Sequence, residues 1–246
     1  MWDAATLAIV AAVFVFAGFV KGVVGLGLPT IALGLLTATL GLMDAIALML
    51  VPAFMTNMVQ ALVGGHLAAL LKRLWRLLAT LCAGVWLGTV LLAGADKQAM
   101  SGLLGVLIFL YAAVSLATPP IPAPGRHERW LSPAWGVVAG IATGLTGAYT
   151  MGVPYLQALR LGRDELVQAM GMFFLVSTVA LALSLTGNAL LPTSLGLLSL
   201  LALIPAFFGM ASGQWIRRRI PEAQFRRLIN AFLLLLGAYI AARAIF

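Results

Sequence analysis

The chain consists of long apolar runs separated by short polar or glycine- and proline-containing interruptions. The runs lie near residues 4–21, 27–41, 44–64, 74–93 and 99–117, and then near 133–148, 152–161, 165–186, 192–215 and 223–245. Most approach the roughly 20 residues that an α-helix needs to cross a hydrocarbon core about 30 Å thick, and they lack the alternation of a β-barrel strand. The pattern therefore predicts an all-α integral membrane protein embedded in a lipid bilayer.

Composition strengthens this interpretation. The chain is 63% hydrophobic and 9% charged, with a mean hydropathy of +1.08, which lies outside the range of soluble domains. Its net charge of +8 comes from basic residues in short connections, so it indicates membrane topology and no nucleic-acid partner. The start of the chain lacks the basic flank of a cleavable signal peptide, so we expect the first apolar run to stay in the mature protein.

A proline-rich polar stretch divides the runs into two halves. We predict a first transmembrane repeat over residues 1–117, a cytoplasmic linker over 118–132 and a second transmembrane repeat over 133–246. Matching residues recur at offsets of about 120 to 125, namely Asp44 with Asp164, Asn57 with Ser177, and the pair Gly84/Gly88 with Gly209/Gly213. This order supports an internal repeat of the kind found in many secondary transporters.

The halves are predicted to have inverted topology. The opening pair of runs in the second half has only about 30 residues, too few for two crossings of roughly 20 each, so we expect two half-helices that meet near the midplane and return. Three full crossings then follow in each half, and an odd number inverts the second half. Both termini then lie outside, and all basic residues except Lys21, Lys97 and Arg243 lie in the cytoplasm.

Each half opens with a glycine- and proline-rich break. Lys21 lies within the first apolar run, just before Gly25, Gly27 and Pro29, and a similar break recurs from Gly144 to Pro154. A cation at membrane depth costs roughly 2.5–3.5 kcal/mol on insertion scales, which points to a functional role. Broken helices also expose amide groups at a positive helix end, where anions bind. The two breaks therefore predict an anion site.

The candidate substrate-binding residues come from these breaks and from polar positions at mid-membrane depth: Lys21, Gly22, Gly25, Gly27, Asn57, Thr146, Gly147, Tyr149, Thr150 and Ser177. Each has a plainer alternative. Lys21 could reach an interface by extending its side chain, the glycines could serve close helix packing, and Asn57 and Ser177 could hydrogen-bond between helices. The pairs Gly84/Gly88 and Gly209/Gly213 are interpreted as packing pairs.

The two glycine-rich, proline-bearing hairpins, the chain length and the central linker resemble the TauE/SafE family, also called the 4-toluenesulfonate uptake permease family. The resemblance implies a transporter of sulfur-containing anions, such as sulfite, sulfoacetate and arylsulfonates, in the bacterial cytoplasmic membrane. Ala148 and Tyr149 stand where the family commonly has glycines. The larger residues would change the size of the pocket, and Tyr149 would add an aromatic face that either stacks on an aromatic substrate or packs.

Together these patterns predict a secondary transporter that binds a small sulfur-containing anion at the midplane between the two hairpins and exposes it to alternate sides. We expect no cofactor, no metal and no catalytic residue. An intramembrane enzyme is disfavoured because the chain has no H-E-x-x-H or G-x-S-x-G motif, and a scaffold subunit would not need paired breaks. An anion channel stays open, as do the substrate, the direction, the coupling ion and a homodimer.

Overall fold

The computed structural model describes residues 3–117, 122–192, 195–217, 219 and 221–244. All regular elements in these ranges are helical, which confirms the predicted all-α fold. The helices are α1 (Ala4–Val24), α2 (Leu28–Leu40), α3 (Leu42–Leu62), α4 (Leu67–Ala93), α5 (Lys97–Ala117), α6 (Glu128–Thr146), α7 (Gly152–Ala158), α8 (Arg163–Gly187), α9 (Gly196–Leu201), α10 (Leu203–Ile216) and α11 (Glu222–Arg243), with a single 3-10 turn at Gly125–His127 before α6. The start of the predicted linker, residues 118–121, lies outside the described residues.

Seven helical segments of the described chain are long and apolar enough to cross a membrane: α1, α3, α4, α5, α8, Gly196–Ile216 (α9 with α10) and the 223–243 part of α11. Six of them match the three full crossings predicted in each half. The seventh, α1, belongs to the opening pair of the first half, which was not counted among the full crossings, but its 21 residues give a length of about 30 Å. It extends the predicted run 4–21 by three residues, to Val24.

The opening helix of the second half is also longer than predicted. It begins at Glu128 instead of near residue 133, and Pro133 lies inside it, so α6 has 19 residues and α7 only seven. The two half-helices predicted over 133–148 and 152–161 are therefore observed as a long helix, α6, followed by a short one, α7.

Acidic side chains lie at the start of several helices. Asp3 precedes α1 and accepts a 3.0 Å hydrogen bond from the Thr6 N–H, and hydrogen bonding with Thr6 lowers the pKa of the Asp3 carboxyl. Asp44 lies in the first turn of α3, and in the first turn of α8 Glu165 accepts a hydrogen bond from the Gly162 N–H at 3.0 Å. Asp3 and Glu165 thus satisfy backbone donors at the starts of α1 and α8.

The chain divides into two compact units, and each unit contains segments from both sequence halves. Unit 1 comprises Met1–Pro52, Ser101–Thr118 and Pro192–Phe246, and unit 2 comprises Ala53–Met100 and Pro119–Leu191. Unit 1 thus holds the first broken hairpin, α1–α2, and unit 2 holds the second, α6–α7.

In unit 1, α1 packs against α10 through glycines on both helices. A Cβ atom added to Gly22 would lie 2.3 Å from the Met210 carbonyl oxygen, and one added to Gly213 would lie 2.2 Å from that of Phe19. Such distances leave no room for a side chain, so the backbones are in direct contact, as in small-xxx-small packing. The prediction that Gly209 and Gly213 form a packing pair is confirmed.

In unit 2, α4 packs against α6 in the same way. A Cβ on Gly84 would lie 2.5 Å from the Val137 carbonyl oxygen, and one on Gly144 would lie 2.3 Å from that of Val85. The predicted packing role of Gly84 and Gly88 is confirmed as well. In both units, the first helix of one half's opening pair packs through glycines against a later helix of the other half.

Candidate functional site

The predicted break in the first hairpin is present. α1 ends at Val24, and Gly25 follows in the left-handed conformation with φ 85°, donating its N–H to the Lys21 carbonyl oxygen at 2.7 Å. Gly27 precedes α2 with φ 109°, and Pro29 lies in the first turn of that helix. Glycine is the residue that adopts these φ values at low cost, and proline suits the start of a helix. The glycines and the proline therefore serve the break itself.

Lys21 lies in the last turn of α1, and only 4% of its surface is exposed. A cation at this position interacts favourably with the negative end of the α1 dipole. The side chain is enclosed by protein, which disfavours the alternative that it extends to a membrane interface. α2 begins after the three intervening residues 25–27, and the N–H groups in the first turn of a helix have no partner within that helix. One short stretch of chain thus combines a buried ammonium group with a positive helix end.

The glycines of this hairpin occupy different surroundings. Gly22 faces α10, so its need to be glycine is explained by helix packing. A Cβ on Gly25 would meet nothing within 4 Å, whereas one on Gly27 would contact Val20 and Ile31 at 3.5 and 3.6 Å. Among the predicted glycines of unit 1, Gly25 therefore has the open space that a ligand needs.

The first hairpin returns to the level at which it starts. α11 contacts both of its helices, through Phe19–Phe225 and Phe16–Phe232 on α1 and through Ala38–Arg243 on α2. The end of α1 thus lies beside the first turns of α11, and the end of α2 lies beside its last turn. Because the chain reverses at the break, α2 runs antiparallel to α1, as the prediction of a returning pair requires.

The second break has the same backbone geometry. α6 ends at Thr146, and Gly147 follows with φ 73°, donating its N–H to the Thr143 carbonyl oxygen at 2.7 Å. The Thr143 hydroxyl donates to the Ala148 carbonyl at 2.9 Å, and the Thr146 hydroxyl donates to the Ala142 carbonyl at 2.7 Å. The two threonines therefore hold the helix end and the loop that follows it, a role that the residue pattern had not indicated for Thr143.

Tyr149 and Thr150 lie in this loop, and both are almost fully buried, at 1% and 2% exposure. The Tyr149 ring stacks on Phe174 of α8, with ring centres 6.0 Å apart and an angle of 27°. The Thr150 hydroxyl has no hydrogen-bond partner within the described ranges, a costly state for a buried donor. Tyr149 thus packs against α8, while the hydrogen-bonding capacity of the buried Thr150 hydroxyl is unused within the described residues.

The polar residues of the later helices are buried too. Asn57 in α3 and Ser177 in α8 are both 0% exposed. Ser177 donates its hydroxyl to the Phe173 carbonyl oxygen one turn earlier, at 2.8 Å, so its proton is used within its own helix. α8 reaches the second break through neighbouring side chains, because a Cβ on Gly152 would lie 2.2 Å from the Phe173 ring.

Sequence reasoning missed the residue that compensates for a proline inside α3. Pro52 lacks an N–H and therefore cannot bond the carbonyl of Leu48. The Ser199 hydroxyl donates to that carbonyl at 2.8 Å, and it accepts a hydrogen bond from the Val51 N–H at 3.2 Å. Only the three-dimensional contact reveals this role, because 151 residues separate Ser199 from Leu48.

The second hairpin also returns to the level at which it starts. Arg73 of α4 donates to both carboxylate oxygens of Glu128, at 2.8 and 2.9 Å, and to the Leu159 carbonyl at 3.3 Å. Glu128 is the first residue of α6 and Leu159 follows α7, so both ends of the hairpin meet at Arg73. Ser132 and Tyr155 hydrogen-bond across the hairpin at 2.7 Å. Both ends of the second hairpin therefore lie beside the same end of α4, whereas its return to one side of the membrane stays a prediction.

An apolar cavity of about 340 Å³ lies beside the second hairpin. Trp135 and Tyr155 line it and stack with ring centres 5.8 Å apart, and the Trp135 indole donates to the Met151 carbonyl at 2.8 Å. The sequence did not predict a role for these two residues, because tryptophan and tyrosine are common near membrane interfaces. They hold α7 against the first turns of α6.

These features define a multi-pass membrane protein with two broken, returning hairpins. Comparison with known families identifies it further: the model described as "Sulfite exporter TauE/SafE" matches residues 10–240, nearly the whole chain. The chain therefore belongs to the TauE/SafE family, whose members transport sulfite and other sulfur-containing anions, and the predicted resemblance is confirmed. Neither the curated proteins nor the solved structures yield a match to the chain.

Proposed function

We propose that this protein is a secondary transporter that moves a small sulfur-containing anion of the sulfonate or sulfite class across the bacterial cytoplasmic membrane. The observation that carries the proposal is the buried Lys21 at the end of α1, followed within a few residues by the start of α2. Membership of a transporter family supports this role, and it also favours transport over catalysis.

The first hairpin suits such an anion chemically. An ionised sulfonate or sulfite offers several acceptor oxygens, while the lysine ammonium offers three donors and the first turn of α2 offers further N–H groups. With 13 residues, α2 is long enough to carry a helix dipole whose positive end faces the break. Open space beside Gly25 would let an oxygen approach the backbone. We propose that Lys21, Gly25 and the start of α2 form the principal binding group.

The second hairpin would contribute selectivity. α7 has only seven residues, so its dipole is weaker than that of α2, and the buried hydroxyl of Thr150 is the better donor. Tyr149 and its stacking partner Phe174 provide an aromatic surface that would favour an arylsulfonate such as 4-toluenesulfonate. That one anion contacts both hairpins at the midplane stays a prediction.

We further propose that the two halves are inverted repeats and that they alternate access by moving against each other. Three features support this: both opening pairs are broken by a left-handed glycine, both return, and both pack through glycines against the matching later helix of the other half. Asp44 and Asp164 also occupy the first turns of corresponding helices, α3 and α8.

A ligand screen on the purified protein tests the proposed substrate class. Sulfite, thiosulfate, sulfoacetate and 4-toluenesulfonate would each be added at increasing concentration while the unfolding temperature is recorded, with chloride as the control anion. A ligand at 100 times its dissociation constant stabilises the native state by about 2.7 kcal/mol, so at least one sulfur-containing anion should raise the unfolding temperature by several degrees. Failure of all of them would contradict the proposal.

Liposome flux then distinguishes a transporter from a channel. A carrier should saturate with substrate and should show counterflow, in which unlabelled anion inside the vesicle drives uptake of labelled anion. Flux that rises linearly and shows no counterflow would instead support an anion channel built on the same site.

A further inference from the structure

A cluster of cations lies near the start of α4 and of α6 in unit 2, away from the second break. This basic cluster consists of Lys72, Arg73 and Arg76 of α4 and Arg129 of α6. Together with Glu128 of α6, its members line a cavity of about 280 Å³. The proposed transport role uses none of these side chains.

Most of the positive charge in this cavity is uncompensated. Among the described residues, Glu128 is the only carboxylate in its lining, and both oxygens of that carboxylate are bonded to Arg73. Lys72, Arg76 and Arg129 form no salt bridge with any part of the chain that the structure describes. Four cations and one carboxylate leave three net positive charges around a space large enough for a phosphate group.

The surroundings of the basic cluster belong to a membrane interface. The Arg76 guanidinium lies 5.3 Å from the centre of the Trp75 ring, and the Arg129 guanidinium lies 5.7 Å from that of Trp130. Both indole rings are exposed, by 56% and 73%, and Leu71 beside them is 47% exposed. In a membrane protein such apolar surface faces lipid, and tryptophan prefers the headgroup level.

We propose that the basic cluster binds the phosphate of an anionic phospholipid headgroup. The phosphodiester offers charged acceptor oxygens to Lys72, Arg76 and Arg129, while Trp75 and Trp130 contact the glycerol and the upper acyl chains. Basic pockets between transmembrane helices are a known mode of lipid headgroup binding. A lipid bound here would connect α4 to α6 beside the Arg73–Glu128 ion pair, so it should stabilise unit 2.

Four proteins test the proposal: the wild type, a cluster variant, a variant with matched charge loss and a variant that keeps the charge. The cluster variant carries Lys72→Gln, Arg76→Gln and Arg129→Gln, and the matched variant carries Arg160→Gln, Arg226→Gln and Arg227→Gln, all at exposed positions. Each protein is titrated with phosphatidylglycerol or phosphatidylcholine in detergent, with the unfolding temperature and native mass spectrometry as readouts. A fourth protein, Arg76→Lys with Arg129→Lys, keeps the charge.

Phosphatidylglycerol should stabilise the wild type, the matched variant and the lysine variant by several degrees more than phosphatidylcholine does. Each cation contributes enough that losing three should weaken binding on the order of 100-fold in the cluster variant. Circular dichroism would establish that this variant is folded before titration. If the cluster variant, in folded form, binds phosphatidylglycerol as the wild type does, or if the wild type shows no preference for it, the proposal is wrong.

Soluble anions separate a lipid site from a free-anion site. Inorganic phosphate and sulfite at millimolar concentration should not reproduce the stabilisation that depends on the cluster, because they lack the acyl chains that contact the indoles. If phosphate alone stabilises the wild type as strongly as the lipid does, and the cluster variant not at all, the cavity binds a soluble anion and the lipid proposal is overturned.

Discussion

The two broken hairpins have the same backbone conformation at the break, but the side chains around the break differ. Gly25 and Gly147 both adopt positive φ values, and each donates its N–H to the carbonyl four residues earlier at 2.7 Å. That earlier residue is Lys21 in the first hairpin and Thr143 in the second. Equivalent positions thus carry an ammonium group in one hairpin and a hydroxyl in the other. The same backbone turn thus carries a charged side chain in the first hairpin and neutral polar side chains in the second.

The segments that follow the breaks differ as well. α2 continues for 13 residues, whereas α7 ends after seven and is held by Trp135 and Tyr155 against α6. In the proposed function, the first hairpin supplies the stronger positive potential, and the second supplies the aromatic surface of Tyr149 stacked on Phe174. We expect affinity for the anion to depend mainly on the first hairpin and discrimination among anions to depend mainly on the second.

The largest expected effect tests whether the hairpins are anchored equivalently. Gly22→Ala and Gly144→Ala would each place a Cβ 2.3 Å from a backbone carbonyl oxygen. Because backbone must move, each should cost about 1–3 kcal/mol or more in the free energy of unfolding. Denaturation in detergent measures the loss. Gly94→Ala is the control, since a Cβ there meets nothing within 4 Å. If the protein kept its stability with one of the two test substitutions, the two hairpins would not be anchored equivalently.

Replacing the glycines at the two breaks should cost less stability, and the loss should be similar in the two hairpins. An alanine at Gly25 or Gly147 must adopt a left-handed conformation, which costs about 1–2 kcal/mol. Asparagine tolerates that conformation better, so Gly25→Asn and Gly147→Asn should lose less stability than the alanine variants. Unfolding measurements on the four proteins would check this. If alanine and asparagine were equivalent at both sites, backbone conformation would not explain these glycines.

The breaks could be predicted from the sequence because the effects of glycine and proline on the backbone are local and need only a few neighbouring residues. The packing pairs Gly84/Gly88 and Gly209/Gly213 were predictable for the same reason, from their spacing alone. The exact ends of the two opening helices were not. The end of α1 depends on which of several glycines adopts positive φ, and α6 begins at Glu128, inside the stretch that was predicted to be a linker. The break falls at Gly25 and not at Gly22, which packs against α10.

The surroundings of the candidate site were mostly beyond sequence reasoning. That Tyr149 would stack on Phe174, or that Ser199 would bond the carbonyl freed by Pro52, depends on contacts between distant segments. Buried threonines also look alike in a sequence. The structure separates Thr146, whose hydroxyl holds a helix end, from Thr150, whose hydroxyl has no partner among the described residues.

Selectivity should respond to the aromatic surface of the second hairpin. Tyr149→Leu keeps an apolar side chain in the buried site but removes the stacking ring. Aromatic stacking contributes about 0.5–1.5 kcal/mol, so the apparent affinity for 4-toluenesulfonate should fall about 2- to 10-fold relative to that for sulfite. Tyr149→Phe keeps the ring and serves as the control. Competition assays in liposomes would measure the ratio of the apparent affinities for the two anions. An equal loss of affinity for both would show that stacking on Tyr149 does not determine selectivity.

The smallest effect concerns the ends of the hairpins. Arg73 joins the two ends of the second hairpin through Glu128 and Leu159, whereas the end of α2 in the first hairpin receives a hydrogen bond from Arg243 to Ala38. The Arg73–Glu128 pair is partly exposed, so a double-mutant cycle with Arg73→Gln and Glu128→Gln should give a coupling of about 0.2–1 kcal/mol. A much larger coupling would mean that this ion pair holds unit 2 together.

The central claim is that the charge on Lys21 makes the first hairpin an anion-binding element. Uptake of a sulfur-containing anion into liposomes by Lys21→Met tests it most directly, with Lys21→Arg and the equivalent Thr143→Val for comparison. Charged hydrogen bonds contribute about 1.5–3 kcal/mol, so Lys21→Met should lower uptake about 10- to 100-fold or abolish it, while the arginine variant keeps activity and Thr143→Val loses less. Uptake at the wild-type rate by folded Lys21→Met protein would contradict the account.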